Sequence, residues 1–395
     1  MNRRGFLELT AAGALVAACD RSPAGGALPS PSVAASTAWP EKASDLILLT
    51  DRPPNLEMPL RYLTQDFTPN DAFFVRWHVA GVPTSVDLRA FRLRVAGDVE
   101  RELSLSVDDL HKLEPVTVAA VNQCSGNSRS LASPRVPGVQ WSSGALGNAR
   151  WTGVRLRDLL ERAKARPTAR EVTFRGLDTP PLQSIPVFLK SLDLARATAD
   201  DVLVAYAMNG APLPMLNGFP LRLVVPGWYS TYWVKSLAEI NVVSEPFQGF
   251  WMAKAYRVPK TEGHGESPAA LATETMPISR MNVRSLIVRP AAGESLVAGT
   301  PCAMEGIAFD GGTGIRAVEV STDDGATWQQ ARLDPDLGKY SFRRWRAVWT
   351  PGAKGEASIR VRATSAAGET QPATQPWNHG GYMRSVVERV EVRVT

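Results

Sequence analysis

Apolar and polar residues alternate in short runs along most of the chain. Phe91-Arg92-Leu93-Arg94-Val95 alternates and stops at Gly97, which predicts a strand. Leu156, Leu159, Leu160 and Ala163 recur at helical spacing with Arg and Glu between them, which predicts an amphipathic helix. Ser106-Val107-Asp108-Asp109 has the spacing of a capping box, with Asp in the position where Glu is usual, and opens a second, short helix. Residues 221–225 form an apolar run stopped by Pro226-Gly227, which reads as a buried strand. Strands and short helices therefore interleave over residues 45–260, and this body is α+β.

Residues 260–277 are rich in Pro, Gly, Ser, Thr and Glu and mark the boundary of that body. Beyond them the period is two. Val318-Glu319-Val320-Ser321-Thr322 alternates and Asp323-Asp324-Gly325 turns the chain. Ile359, Val361 and Ala363 alternate with Arg360 and Arg362, and Val390, Val392 and Val394 with Glu391 and Arg393. Such strands over residues 278–395 predict an all-β, immunoglobulin-like sandwich without a core disulfide.

The chain begins differently. Arg3-Arg4-Gly5-Phe6-Leu7 precedes a short apolar run over residues 9–18, too short to span a bilayer. This fits a twin-arginine export signal over residues 1–19. The run ends Leu15-Val16-Ala17-Ala18-Cys19, which resembles a bacterial lipoprotein box. Cleavage before Cys19 would leave its thiol to carry lipid, the alternative being ordinary cleavage without lipid. The expected location is the periplasm, with membrane attachment only through that anchor. Residues 20–44, rich in Ser, Ala, Pro and Gly, read as a flexible linker.

Composition adds mainly exclusions. With 395 residues, 44% hydrophobic and 21% charged, the chain can bury a sizeable core and is neither disordered nor fibrous. The net charge of +5 is spread out and makes no basic stripe, which argues against nucleic acid. Three cysteines give no disulfide framework, and the four histidines lack zinc-ligand spacing.

One cysteine has an unusual setting. In Val121-Asn122-Gln123-Cys124-Ser125-Gly126-Asn127-Ser128-Arg129 it stands among amide, hydroxyl and glycine residues with an arginine five positions on. A nearby cation favours thiolate, and a thiolate is a nucleophile or a soft-metal ligand. One thiolate cannot hold zinc or an iron–sulfur cluster, but it can add a single ligand to a metal held by an organic cofactor. The residues alone leave a reactive and a packed Cys124 both open.

The string Gln123-Cys124-Ser125-Gly126-Asn127-Ser128-Arg129 resembles the cofactor-cysteine motif of the sulfite oxidase family of molybdenum enzymes. Four further blocks follow the family in order: Phe73-Phe74-Val75-Arg76-Trp77-His78; residues 144–154 from Gly-Ala-Leu-Gly-Asn to Thr-Gly-Val; Gly176-Leu177-Asp178; and Asn217-Gly218-Phe219-Pro220-Leu221-Arg222 with Pro226-Gly227 and Trp233-Val234-Lys235. The resemblance covers nearly the whole chain after the signal and is closest to bacterial periplasmic sulfite dehydrogenases. It implies a molybdopterin-binding domain followed by a dimerisation domain, with one molybdenum per chain ligated by Cys124. It implies that Phe74, Val75, Arg76, His78, Asp178, Asn217, Arg222, Trp233, Val234 and Lys235 hold the pterin and its phosphate. It also implies that Arg76, Arg129, Trp141 and Tyr256 line the pocket where sulfite becomes sulfate by oxygen-atom transfer. The sequence has no Cys-x-x-Cys-His haem motif, so a separate c-type cytochrome is the expected electron acceptor, and a homodimer through the C-terminal domain is implied.

Three positions depart from the vertebrate pattern. Pro137 stands where those members have Lys, and Asn217 where they have His. Residues 377–382, Trp-Asn-His-Gly-Gly-Tyr, stand where they place a substrate-binding Arg. The C-terminal domain is therefore expected to contribute less to substrate binding, with His379 either reaching toward the pocket or lying on the surface. Two other functions compete: another sulfur-compound molybdenum oxidoreductase (a sulfane dehydrogenase subunit or a sulfoxide reductase), or a lipid-anchored binding module without chemistry. Residues 278–395 argue against the reductase, whose relatives usually lack this domain.

Overall fold

The computed structural model describes residues 39–395; the export signal read over 1–19, its Cys19, and most of the linker read over 20–44 lie outside the described residues. The end of that linker is not free. Lys42 is 5% exposed, and its amine donates to the carbonyls of Asn70 and Phe73 and to Asn217 Oδ1. Glu41 accepts from the amides of Met215 and Leu216. A charged pair next to a small-residue tether gives no periodic signal, so sequence pattern alone reads these residues as linker.

Two five-stranded sheets build the α+β body. In one, Ala211–Pro212, Leu203–Met208, Leu146–Arg155 and Val116–Gln123 run in spatial order, with Arg222–Val224 also paired to Leu203–Met208. In the other the order is Leu103–Leu105, Leu93–Gly97, Leu237–Val243, Glu171–Gly176 and Leu189–Asp193. Helix Leu156–Ala163 buries Leu156, Leu159, Leu160 and Ala163, the residues its spacing selected. Helix Val107–His111 carries the reciprocal cap, with Ser106 Oγ accepting from Asp109 N and Asp109 Oδ2 from Ser106 N. Strand Val116–Gln123 becomes wholly buried as it approaches Cys124, so the cysteine loop leaves the sheet from inside the core.

The C-terminal part is a β-sandwich. One sheet orders Arg284–Arg289, Cys302–Phe309, Arg343–Trp349 and Arg332–Leu333. The other orders Ser295–Leu296, Glu388–Val394, Gly355–Ser365, Ile315–Ser321 and Gln329–Gln330. Ile359, Val361, Ala363 and Val392 fill the space between them with Trp345 and Val318, as the alternation requires. Asp324 and Gly325 turn the chain with φ of 59° and 94°.

The two parts share more than a boundary. On strand Arg284–Arg289, Ile287 faces the sandwich core while Leu286 and Val288 join the core of the first body, so the sheet is covered on both faces. The stretch over 260–277 is structured at its ends, where Arg257–Pro259 pairs with Thr275–Pro277. Its Pro/Gly/Ser composition reflects turns within a closed loop rather than an open tether.

Candidate active site

Cys124 follows the last residue of strand Val116–Gln123 and is 5% exposed. Its amide donates to Ala145 O at 2.9 Å, and its carbonyl accepts from Asn127 N at 3.0 Å. The loop that follows is held from several sides. Asn127 donates to Gln123 Oε1 and Ser143 O and accepts from Ala145 N, while Glu57 accepts from the amides of Ser142 and Gly144. Ser128 sits at φ 67°, a left-handed backbone that costs a non-glycine residue energy unless its surroundings fix it. The C-terminal part does the fixing: Arg284 Nη2 donates to Ser128 Oγ at 2.6 Å, Nη1 to Gln123 Oε1 at 3.0 Å, and Met383 N to Ser125 O at 2.8 Å.

On one side of this loop opens a cleft lined by Phe74, Arg76, His78, Asn122, Asn217, Arg222, Ser230 and Lys235. Lys235 donates to Arg76 O at 2.6 Å with its amine 4.3 Å from the Trp77 ring centre. Arg222 donates to Asn217 O and Asn122 Oδ1, and its guanidinium lies over the Trp151 and Trp233 rings. Asn217 donates to Phe74 O. His78 stacks on Phe188 with centroids 3.8 Å apart. Asp178 is 4% exposed and lies in the field of Lys235. Val75, Trp233 and Val234 are buried walls, the Trp233 indole donating to Trp228 O.

On the other side Arg76, Arg129, Trp141 and Tyr256 converge. Arg76 Nη2 donates to Tyr256 OH at 3.3 Å. Trp141 meets Phe74 edge to face at 6.3 Å. Arg129 runs through a sleeve of glycines: a Cβ on Gly138 would come within 2.7 Å of its Nη1, and one on Gly381 within 2.8 Å of its Cγ. Tyr256 has φ 55° and Met383 φ 60°. With Ser128, these put three left-handed non-glycine residues at one place, where strain is held by the packing around it.

Known proteins match this arrangement. Residues 79–251 match the oxidoreductase molybdopterin binding domain and residues 275–395 the Mo-co oxidoreductase dimerisation domain. Mitochondrial sulfite oxidase of Mus musculus is 36% identical over 389 residues, which cover 92% of this chain and 69% of that protein. Sulfite oxidase of Arabidopsis thaliana is 30% identical over 90% of this chain and 95% of its own length. The chain belongs to the sulfite oxidase family. The structure of the sulfane dehydrogenase SoxCD from Paracoccus pantotrophus superposes with a TM-score of 0.75 over 94% of both chains at 22% identity, a likeness of fold. The chain is thus a molybdenum oxidoreductase of sulfur compounds that carries molybdopterin.

The cleft fits that cofactor on its own chemistry. Asn122 Nδ2 and Arg222 Nε, both of residues that line the cleft, are buried without partners among the described residues. Buried polar atoms are ordinarily satisfied, so these are donors awaiting a polar group. Lys235 and Arg222 supply the positive charge a phosphate needs.

Sulfite oxidase family motifs led to the cleft, but four functional contributors escaped them. Lys42 supports Asn217. Lys190, fully buried, donates to Trp251 O at 2.7 Å with its amine 5.5 Å from the Tyr256 ring centre. Arg284 braces the cysteine loop, and Tyr382 stacks on Tyr256 at 5.5 Å. Arg284 had a signal, a charged residue two positions before the apolar run Leu286-Ile287-Val288 of its strand. The others had none. His379 does not reach the pocket: Glu266 accepts from its amide and pairs with Nδ1 at 2.6 Å, holding it half exposed at the surface.

Burial also sets protonation. It pulls Lys42, Lys190 and Lys235 each down to about 7 and pushes the Asp178 carboxyl up. An unfolded lysine keeps its proton to about pH 10, whereas these release it near 7 when folded. Between pH 7 and 10 the unfolded state holds more protons, so folding gains stability as pH rises, by at most about 1.4 kcal/mol per pH unit for each lysine. The cofactor-free protein should therefore show an unfolding midpoint that climbs from pH 7 to 9. With the cofactor's phosphate opposite Lys235 the climb should be shallower. A flat profile without cofactor would show that these amines stay charged in the fold.

Proposed function

We propose that the chain oxidises sulfite to sulfate and passes the electrons singly to a c-type cytochrome. The observation that carries the reading is the junction of Cys124, Arg76, Arg129 and Tyr256 at one end of the cofactor cleft, in a chain similar to sulfite oxidases over most of its length. The balance is sulfite plus water giving sulfate, two protons and two electrons.

The cofactor, when bound, supplies oxygen-atom transfer and a two-electron change of oxidation state. Cys124 would ligate its molybdenum. Phe74, Val75, Arg76, His78, Asp178, Asn217, Arg222, Trp233, Val234 and Lys235 would enclose the pterin. Arg76 and Arg129 attract the anion and stabilise the charge that gathers on its oxygens as sulfate forms. Burial works against the Arg76 charge, and the hydrogen bond from its Nη2 to the Tyr256 oxygen helps to offset that penalty. Burial keeps the Tyr256 phenol protonated, ready to donate a hydrogen bond to a substrate oxygen. Burial holds His78 neutral, so it adds no charge. Trp141 is fully buried, and its indole N–H has no partner among the described residues. The C-terminal sandwich would pair two such chains.

The test is sulfite-dependent reduction of a c-type cytochrome by protein made with its own leader in a host that builds molybdopterin. About one molybdenum per chain with sulfite-dependent reduction is expected. Full molybdenum without sulfite turnover would defeat the substrate assignment and leave another sulfur compound.

A further inference from the structure

We propose that Lys42, on the segment that leads into the first strand, is a positioning residue for the cofactor: it sets which way the Asn217 amide faces in the cleft, and so how long the molybdopterin is held. This role rests on the molybdopterin assignment and holds whichever sulfur compound is oxidised.

The segment that carries Lys42 is anchored on its own. Lys42 N donates to Trp39 O at 2.9 Å, and Ala43 N to Asp71 O at 3.1 Å. Asp45 accepts from Tyr62 OH and pairs with Arg61, and Leu46 is buried in the core of the first body. From this base two neighbouring residues of opposite charge grip one turn, Met215–Asn217. Glu41 takes the amides of Met215 and Leu216 through its two carboxylate oxygens, at 3.2 and 3.0 Å. Lys42 crosses to the other end of the turn and donates to Asn217 Oδ1. Its other two donors go to Asn70 O at 2.9 Å and Phe73 O at 3.1 Å, so an ammonium with three donors meets three acceptors.

The chemistry of the amide gives this contact its consequence. An asparagine side chain carries an accepting oxygen and a donating nitrogen on opposite arms, and either can face a ligand. Lysine can only donate, so it claims the oxygen. The nitrogen is then turned the other way. One of its hydrogens meets Phe74 O at 3.0 Å, and the second is left for the cleft that Asn217 lines. The main chain fixes the rest. Arg222 Nη1 donates to Asn217 O at 3.0 Å, and Ser236 N to Gly218 O at 3.1 Å. Gly218, at φ 116°, lays the turn against Lys235, whose Cα would stand 3.2 Å from a Cβ there. Asn217 therefore forms one unit with Arg222 and Lys235, the two cations suited to the cofactor's phosphate. An amide turned over would set an oxygen lone pair toward that anion instead of an N–H.

The experiment has two arms, both at about pH 6, below the value of about 7 to which burial draws Lys42 and Lys235, so that the amines stay charged. In the first, cofactor-loaded protein is diluted and the molybdenum remaining per chain is followed over time. Lys42→Met keeps the aliphatic stem and removes the donors. It should speed release about 10-fold, the loss of one hydrogen bond from a charged group. Asn217→Ala should do the same, and the double variant should release no faster than Asn217→Ala alone. In the second arm, cofactor-free protein is titrated with inorganic phosphate, read as a rise in the unfolding midpoint. Phosphate affinity should fall by a similar factor in each single variant and no further in the double one. A lysine that served only the fold would lower the midpoint without phosphate and leave both affinity and release unchanged. Release of the cofactor from Lys42→Met at the wild-type rate, or effects of the two substitutions that add, overturns the proposal. If Lys42→Met fails to fold, hydrogen exchange of the cofactor-free wild type decides. Coupling between two places is reciprocal, so phosphate should slow exchange of the Ala43 amide, held to Asp71 O, and leave strand Gly355–Ser365 of the sandwich unaffected. Unchanged exchange at Ala43 would overturn it there.

Discussion

Cys124→Ala is expected to lower sulfite-dependent cytochrome c reduction by at least about 10³-fold. Removing outer-sphere partners of a metal ligand typically costs 10–100-fold, and the ligand itself should cost more. The residues that enclose the pterin remain in place in the variant: Lys235 and Arg222 keep their backbone and aromatic contacts, which do not pass through the thiol. Molybdenum content should therefore stay near one per chain while X-ray absorption at the metal loses one sulfur neighbour. Cys124→Ser tests the chemical reason. It preserves the turn in which the Cys124 amide donates to Ala145 O but exchanges a soft ligand for a hard one, and should lose activity to the same degree. Either variant retaining more than about a tenth of wild-type activity would return Cys124 to the role of a packed residue.

Much of the fold is legible in the sequence because local period and burial agree. Ile359, Val361 and Ala363 alternate with arginines on a strand with one covered face, and Leu156, Leu159 and Leu160 fall on one side of a short helix. The cofactor cleft is legible for a different reason: its residues cluster in short strings around Cys124, Arg76, Arg222 and Lys235, so a resemblance can find them. What is not legible is whatever one part of the chain lends to another across a large sequence separation. Lys42 meets Asn217 175 residues away, and Arg129 meets Gly380 251 residues away. Neither spacing has a local period. The expectation that the C-terminal domain contributes little came from a missing arginine in residues 377–382. The structure puts Gly380 O on Arg129 and the Tyr382 ring on Tyr256 from that same string.

Arg284 is where this long-range dependence has its largest expected cost in stability. It begins the first strand of the sandwich, is 1% exposed, and inserts between the two parts of the molecule. Its guanidinium meets Glu388 Oε1 at 2.9 Å, Ser128 Oγ at 2.6 Å and Gln123 Oε1 at 3.0 Å. Burial penalises the charge, and Glu388 is the main group that offsets it. Removing one partner of a buried pair strands the other, at about 3–5 kcal/mol. Glu388 keeps Arg384, whose Nη2 lies 3.0 Å from Oε2, so Arg284→Met should cost near the lower figure. At 2–4 °C per kcal/mol that is a fall of roughly 6–12 °C in the unfolding midpoint. Glu388→Gln added to Arg284→Met should recover part of the loss, because the stranded carboxylate is then neutral, whereas Glu388→Gln alone should destabilise. The loss should extend to chemistry. Ser128 keeps its left-handed backbone under the hold of Arg284, and Gln123 precedes Cys124, so a loosened loop should lower kcat about 10–100-fold with molybdenum retained. A midpoint shift below about 1 °C with unchanged kcat would show that the apolar junction of Leu286 and Val288 holds the cysteine loop without this arginine.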